Sequence, residues 1–272
     1  MLDTEAFRHF EQQAHDRIAP SYQTFFEPVT QHAVAALLDT AHVRAGTRLL
    51  DVATGPGGVA TRAAARGAVV SGIDLAPGMV ALAAQRFPQI DFRVADVEFL
   101  PFPAASFDAV VCNFGVGHFP RPEQALAECV RVLARTGRLS CSWWDVPART
   151  RIQGILIEAL QEVGAAPPAD LPAGPPLFRF ADEAVLAALL RSAGLQDVTV
   201  QGQTFVHRVA TAEALWTGAL GSLARTAAIV LAQSDAMQQR IRSVFERLVS
   251  VYASDGGLTI PMAYKIATGQ KL

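Results

Sequence analysis

The sequence predicts an α/β fold: a mostly parallel sheet with helices packed on both of its faces. Three observations carry that prediction. Short apolar runs alternate with helical segments from about residue 45 to 144, the pattern that right-handed crossovers between parallel strands produce. The runs are near-continuously apolar, as in strands buried on both faces, rather than alternating as in a half-exposed sheet. The first run, Leu49–Val52, ends in Thr54-Gly-Pro-Gly-Gly58 and passes at once into the alanine-rich segment Val59–Ala65. A buried strand, a tight glycine turn and a helix start in that order form the unit that cradles a nucleotide-like cofactor.

In chain order, Phe7, Phe10, Ala14 and Ile18 share one face and predict a helix over Asp3–Ala19, ended by Pro20. Ser21-Tyr22 then begins a link into a second helix, Pro28–Ala41. Strand one follows Arg44-Ala45-Gly46, and the helix after the glycine turn runs to Arg66 with Gly67 as its stop. Ala68–Ile73 reads as strand two, ending at Asp74, and Pro77 opens the next helix in the first-turn position proline tolerates. Ile90–Val94 makes strand three, ending at Asp96. Phe107–Asn113 is strand four, Pro122–Leu133 a helix, and Arg138–Trp144 strand five. Beyond it, Val163–Pro176 is a proline-rich surface loop beside the pocket. Asp182–Ala193 is a helix stopped by Gly194, Asp197–Val209 a sixth strand, and Thr211–Tyr252 largely helical, with Ile241, Val244, Phe245, Leu248 and Tyr252 on one face. Pro261–Thr268 is expected as a last, antiparallel strand at the sheet's end. The chain is expected to be one domain: an N-terminal helical lid (1–44), a cofactor-binding core (45–147) and a C-terminal half (148–272).

Composition is that of a globular protein, 51% hydrophobic and 18% charged, with a net charge of −2 from 23 basic and 25 acidic side chains. No basic stripe is present, so nucleic acid is disfavoured as a partner. Cys112, Cys129 and Cys141 are widely spaced in apolar surroundings and read as core thiols; there is no zinc-ligand spacing, and no metal site is expected. The N-terminus is polar and amphipathic without an apolar signal region, and no run reaches the roughly 18 apolar residues of a membrane span. A cytoplasmic protein, monomeric or homodimeric, is expected.

In an open parallel sheet the ligand lies across the carboxyl ends of the strands. Three successive strands put a carboxylate there: Asp51, Asp74 and Asp96. Each alone also suits capping of the next helix. Asp74 lies 17 residues after Gly57, close to the roughly 20 expected of an acid that grips a ribose diol. Between Leu49 and Thr61 there is no Lys or Arg, whereas Asp51 sits just before the glycines. A pyrophosphate would meet like charge there, at a cost of several kcal/mol on an order-of-magnitude Coulomb argument. A phosphate-free cofactor with a cationic end is favoured, and S-adenosylmethionine fits.

The stretches LLDVATGPGG, VVSGIDLAPGMVALAAQR, ADVEFLPFPAASFDAVVCNFGVGHF and ECVRVLARTGRLSCSWW, spanning roughly Ala45–Trp144, resemble the class I S-adenosylmethionine-dependent methyltransferases. The similarity is to the small-molecule group that includes the ubiquinone and menaquinone C-methyltransferases. Arg17–Tyr22 resembles the lid segment of that group, and GGLTIPMAYKIATGQK its final strand. One departure is Ala53, where the family often carries glycine. The resemblance implies a Rossmann-like, seven-stranded sheet with a helical lid. It also implies a set of roles. Asp51 and the backbone of Ala53, Gly55 and Gly57 hold the methionine end. Asp74 takes the ribose hydroxyls, with Leu75 and Met79 beside the adenine. Asp96 accepts from the adenine amino group and Val97 lies against the ring. Asn113 and Phe114 line the methyl side, and Tyr22 closes over the cofactor. The product would be S-adenosylhomocysteine.

His118, in the segment Phe114–Phe119, is the best-placed general base, since neutral imidazole accepts a proton near pH 7. Tyr22, His15, Asp145 and His207 are weaker candidates. Phe25, Phe26, Phe119, Trp143, Trp144, Phe178 and Trp216 are available to line an acceptor pocket, which would suit a small apolar or planar metabolite. Two alternatives remain at this level: an NAD-dependent oxidoreductase, disfavoured by Asp51 and the ADVEFLPF segment, and a protein of this fold that binds the cofactor without transferring methyl.

Overall fold

The computed structural model describes residues 3–272. Helix α1 (Thr4–Ser21) starts at Asp3, whose side chain accepts the Ala6 N–H at 3.0 Å, and buries Phe7, Ala14 and Ile18 as the spacing predicts. It does not stop at Pro20. The chain passes through a π turn at Tyr22–Phe26 into α2 (Glu27–Thr30), a 3₁₀ turn at Gln31–Ala33 and α3 (Val34–Thr40). A proline in a helix's last turn forfeits one backbone hydrogen bond, and the wider i→i+5 turn that follows absorbs the misfit, so the expected link is helical instead.

Strand β1 (Arg48–Val52), α4 (Gly58–Ala65), β2 (Val69–Asp74), α5 (Pro77–Arg86), β3 (Asp91–Val94), β4 (Phe107–Asn113), α6 (Pro122–Val132) and β5 (Leu133–Trp144) follow the predicted alternation. Their pairings β3–β2–β1–β4–β5 are all parallel. Next come α7 (Arg151–Val163), α8 (Glu183–Ser192), β6 (Gln196–Val209), α9 (Ala212–Ser222), α10 (Ala224–Leu231), α11 (Asp235–Val249), β7 (Ala253–Ser254) and β8 (Gly257–Gln270). The full order is β3-β2-β1-β4-β5-β8-β6, with two-residue β7 paired to β8 as an eighth strand.

Two further features depart from the sequence reading. Strand β8 is antiparallel, as expected, but it lies between β5 and β6 rather than at the edge. Its unbroken buried run Met262–Thr268 is what an interior strand requires, whereas β6 exposes most of its polar positions and takes the edge. Helix α7 was not anticipated, although Ile152, Ile155, Leu156, Ala159 and Leu160 recur at helical spacing and are all buried.

The two faces of the sheet build separate cores. Leu49, Val70, Ala109 and Val111 pack with α3 and α4. Leu50, Val52, Ile73, Val110, Cys112, Leu139 and Trp143 pack against the helices of the second half. The three cysteines are free and buried. No single helix among the described residues is long and apolar enough to cross a membrane. The strand order reverses between β1 and β4, so the loops after these strands diverge and leave a crevice at the carboxyl edge.

Candidate active site

That crevice is a cleft of about 170 Å³, bounded below by the strand ends and above by α1 and the α9–α10 joint. Helix α1 is tied across it by one polar stripe at four-residue spacing. Arg8 Nε meets Asp96 Oδ2 at 2.8 Å, Gln12 Nε2 donates to the Leu75 carbonyl at 3.1 Å, and Asp16 accepts the Gly78 N–H at the start of α5. Arg8 also reaches Glu98, a fully buried carboxylate that holds Arg121 at 2.7 Å.

Of the residues expected to hold a cofactor, Ala53, Gly55, Asp74, Leu75, Met79, Asp96, Val97, Asn113 and Phe114 all line this cleft. The glycine turn is built for close approach: Gly55 sits at φ +54, and a Cβ there would meet nothing within 4 Å. Asp74 closes the turn against β2. Its Oδ2 accepts the Gly55 N–H at 2.9 Å and its Oδ1 the Ala76 N–H at 3.0 Å, while burial pushes its carboxyl above the usual range. The capping role of a strand-ending acid thus falls on the carboxylate that the resemblance assigns to the ribose. Asp96 accepts the Glu98 N–H at 2.9 Å as well as Arg8. Asn113 donates to the Thr30 carbonyl at 3.2 Å and accepts from Ser142 at 2.7 Å, which fixes its amide at the cleft wall.

Asp51 and Gly57 are placed differently. Asp51 lies beneath the turn, fully buried, and is absent from the cleft wall. Thr54 donates to one of its oxygens at 2.6 Å, the other has no hydrogen-bond partner among the described residues, and burial pushes its pKa up to about 7. The like-charge objection to a pyrophosphate therefore does not act by direct contact. Gly57, at φ +86, caps α4, and a Cβ there would press Phe87 and Phe92, so it serves helix–sheet packing.

Ala53 and Phe114, at the ends of β1 and β4, both hold left-handed backbone, each at φ +54. Such strain in non-glycine residues gathers at ligand sites. It also explains why the resembling family often has glycine at the first position. Ala53→Gly is expected to raise the free energy of unfolding by about 0.5 kcal/mol, the strain relieved less glycine's extra unfolded-state entropy. Ala53→Val is expected to lower it by about 2 kcal/mol or more. Urea titrations of the two variants check this.

His118 ends a 3₁₀ turn after β4 and lines the cleft. Its Nδ1 lies 2.9 Å from Glu11 Oε2, and its ring meets His15 edge-on at 4.9 Å and Trp143 at 5.2 Å. Burial pulls the His118 imidazole down, but the charge and hydrogen bond of Glu11, with the charge of Asp74, together outweigh it and the net shift is upward. His15 Nδ1 stands 3.3 Å from the same carboxylate oxygen. The donor atoms of Glu11, His15 and His118 lie within 4.8 Å of one another, close enough to share a divalent ion. Glu11 was not singled out from sequence. On α1 it reads as one more polar helix position, and only the packing of α1 over β4 brings it to His118.

The weaker base candidates separate. His15 joins His118 at the cleft and Tyr22 lines it, with burial raising its phenol far above the usual range. Asp145 is buried in ion pairs with Arg149 and Lys265, and His207 stands beside His32 and Phe25, both off the cleft. Among the aromatic residues, Phe26, Phe119, Trp143 and Trp144 line the cleft, and Trp144 stacks on Phe114 at 3.8 Å. Phe25 packs on Gly218 and His207, Trp216 on Phe245, and Phe178 against the core rather than on the cleft wall. Pro175 and Leu177 bring the end of the proline-rich loop to the cleft, as expected.

Comparison with known proteins agrees with this geometry. A methyltransferase-domain family model matches residues 50–141. Over 209 residues the chain is 30% identical to a demethylmenaquinone methyltransferase of Renibacterium salmoninarum, covering 71% of this chain and 88% of that one. It is 38% identical over 185 residues to a ubiquinone biosynthesis O-methyltransferase of Xanthomonas axonopodis pv. citri, covering 65% and 73%. The crystal structure of the Bacillus subtilis YcgJ protein superposes with a TM-score of 0.54 at 21% identity, over 88% of this chain and 98% of that one, a likeness of fold. The cleft at the strand-order reversal and these relatives lead to one conclusion: the chain belongs to the class I S-adenosylmethionine-dependent methyltransferases.

Proposed function

We propose that this protein methylates an oxygen, nitrogen or carbon nucleophile of a small, largely apolar acceptor, at the cleft described above. The observation that carries the reading is the convergence on one cleft of two distinct linings. One is a nucleoside-sized lining of Gly55, Asp74, Leu75, Met79, Asp96 and Val97. The other is an aromatic lining next to the Glu11–His118 pair.

The residues fit S-adenosylmethionine without rearrangement of the turn. Gly55 leaves room for main-chain approach, Leu75, Met79 and Val97 offer apolar faces for an adenine, and Arg86, which donates to the Pro56 carbonyl of the glycine turn at 2.7 Å, is neutralised by Glu27 at 2.9 Å. When bound, the cofactor supplies a methyl group already activated by its sulfonium. The protein's own part is to align the nucleophile, exclude water and receive a proton. Asp74 holds the ribose hydroxyls with whichever acceptor capacity its two N–H bonds leave free. Asp96 serves the adenine amino group, and Asn113 and Phe114 bound the methyl side. Tyr22 closes the cleft from the turn after α1. His118, with Nδ1 toward Glu11, is left with Nε2 to take the acceptor's proton. Asp51 and Gly57 act through the shape of the turn.

Calorimetric titration tests the reading. Micromolar binding of S-adenosylmethionine and S-adenosylhomocysteine is expected, about −8 kcal/mol. An acceptor screen should then yield S-adenosylhomocysteine in step with a methylated product. Binding of NADH in place of both would refute the assignment.

A further inference from the structure

The cleft wall contributed by the second half of the chain holds an amide oxygen without a hydrogen-bond partner and a guanidinium without a carboxylate partner among the described residues. Gln153, on α7, is 2% exposed and lines the cleft, and its Oε1 accepts no hydrogen bond among the described residues. A buried amide oxygen without a partner costs about 1–3 kcal/mol. Arg225, in the first turn of α10, lines the same cleft and has no carboxylate within 4.0 Å among the described residues. Its side chain donates from Nη1 to the Pro172 carbonyl at 2.6 Å, and burial pulls its guanidinium down despite the distant charge of Glu11. Arg8, the other guanidinium of the cleft, is by contrast paired with both Asp96 and Glu98.

The cleft that both groups line is otherwise largely apolar, with aromatic residues on its wall. Trp143 spends its Nε1–H on the Leu177 carbonyl at 2.8 Å, so it offers the cleft a ring and no donor, and Phe119 and Leu177 extend that wall. A ligand that satisfies all three features is an acid built on a planar apolar body.

We propose that Arg225 and Gln153 select the acceptor: an aromatic or similarly planar carboxylic acid, its carboxylate held by Arg225 and a hydroxyl or amino hydrogen donated to Gln153 Oε1. The assignment rests on the methyltransferase reading above and names its substrate class. A guanidinium pairs a carboxylate in bidentate fashion, a geometry an ester cannot reproduce. A buried acceptor such as Gln153 Oε1 rejects an analogue that lacks the hydroxyl, because it is left unpaired again.

The experiment loads the protein with S-adenosylhomocysteine and titrates it with 4-hydroxybenzoate, 4-hydroxycinnamate and 6-hydroxy-2-naphthoate. Each is measured beside its methyl ester and its counterpart without the hydroxyl. At least one acid should bind about tenfold or more tighter than its ester, about 1.4 kcal/mol. That preference should fall below about threefold in Arg225→Gln and survive in Arg225→Lys, which keeps the charge. Loss of the hydroxyl should weaken binding about tenfold in the wild type and less than threefold in Gln153→Leu. Unchanged melting temperatures establish that the variants are folded.

Three results overturn the proposal: esters that bind as tightly as the acids, no binding by any of the acids, or a tenfold loss of S-adenosylhomocysteine affinity in Arg225→Gln. The last would give the guanidinium to the cofactor's own carboxylate. Wild-type protein that fails to bind S-adenosylmethionine and S-adenosylhomocysteine at all would instead remove the methyltransferase reading beneath it.

Discussion

His118→Ala is expected to lower turnover by about 10²–10⁴-fold, the range a positioned general base supplies, while cofactor affinity stays within about twofold. The split between turnover and affinity separates a proton-transfer role from a structural one, because a disordered loop after β4 would move Phe114 and weaken both. The pH dependence sharpens the test. Glu11 raises the His118 pKa above its ordinary 6.5, and a base works only when neutral. Turnover therefore rises with pH through that elevated pKa and is lost as pH falls below it. The stabilisation from the pair runs the opposite way: complete below the unfolded histidine pKa, it disappears as pH rises through the folded one. Glu11→Gln removes the charge and leaves burial to dominate, so the acid limb of the pH–rate profile should move to lower pH. An unmoved limb would strip Glu11 of its positioning role. Activity abolished by a chelator and restored by a divalent metal would reassign Glu11, His15 and His118 to an ion.

Asp74→Ala is expected to weaken S-adenosylmethionine and S-adenosylhomocysteine binding at least tenfold, about 1.4 kcal/mol or more. This variant removes two roles together, the proposed hold on the ribose hydroxyls and the observed hydrogen bonds to the turn. It leaves the N–H groups of Gly55 and Ala76 without their acceptors, at about 1–3 kcal/mol each where water does not replace the carboxylate. Asp74→Asn separates the two jobs. An amide oxygen still caps one N–H and recovers part of the stability, but it lacks the second acceptor oxygen that a diol requires. Thermal melts and calorimetry on the two variants should therefore diverge: intermediate stability for the asparagine variant, poor affinity for both. Full affinity in Asp74→Ala would take Asp74 out of the site and leave it a capping residue.

Much of this architecture is legible in local residue patterns. The strand–turn–helix at Leu49–Ala65, the acids closing β2 and β3, and the extent of β4 are consequences of period, glycine placement and proline position. These act within a few residues of one another. The same locality explains the errors. Pro20 is a breaker by rule, yet the π turn beyond it accommodates the misfit. The antiparallel direction of β8 could be expected, but its seat between β5 and β6 depends on which strand tolerates exposure, and that is a comparison between distant segments.

The residues Asp51, Asp74, Asp96 and His118, and the family they imply, came from the sequence by itself. Their arrangement did not. Asp51 was moved off the cleft because the pleat turns alternate residues of β1 to opposite faces, which put its carboxylate under the turn. Glu11, Arg8, Gln153 and Arg225 entered the site because α1, α7 and α10 close over the sheet's carboxyl edge. No spacing in the chain encodes that convergence, which brings residues as far apart as Arg8 and Arg225 to one cleft. A strand's own alternation shows which residues are buried; only the packing of one element on another decides which buried charge meets which.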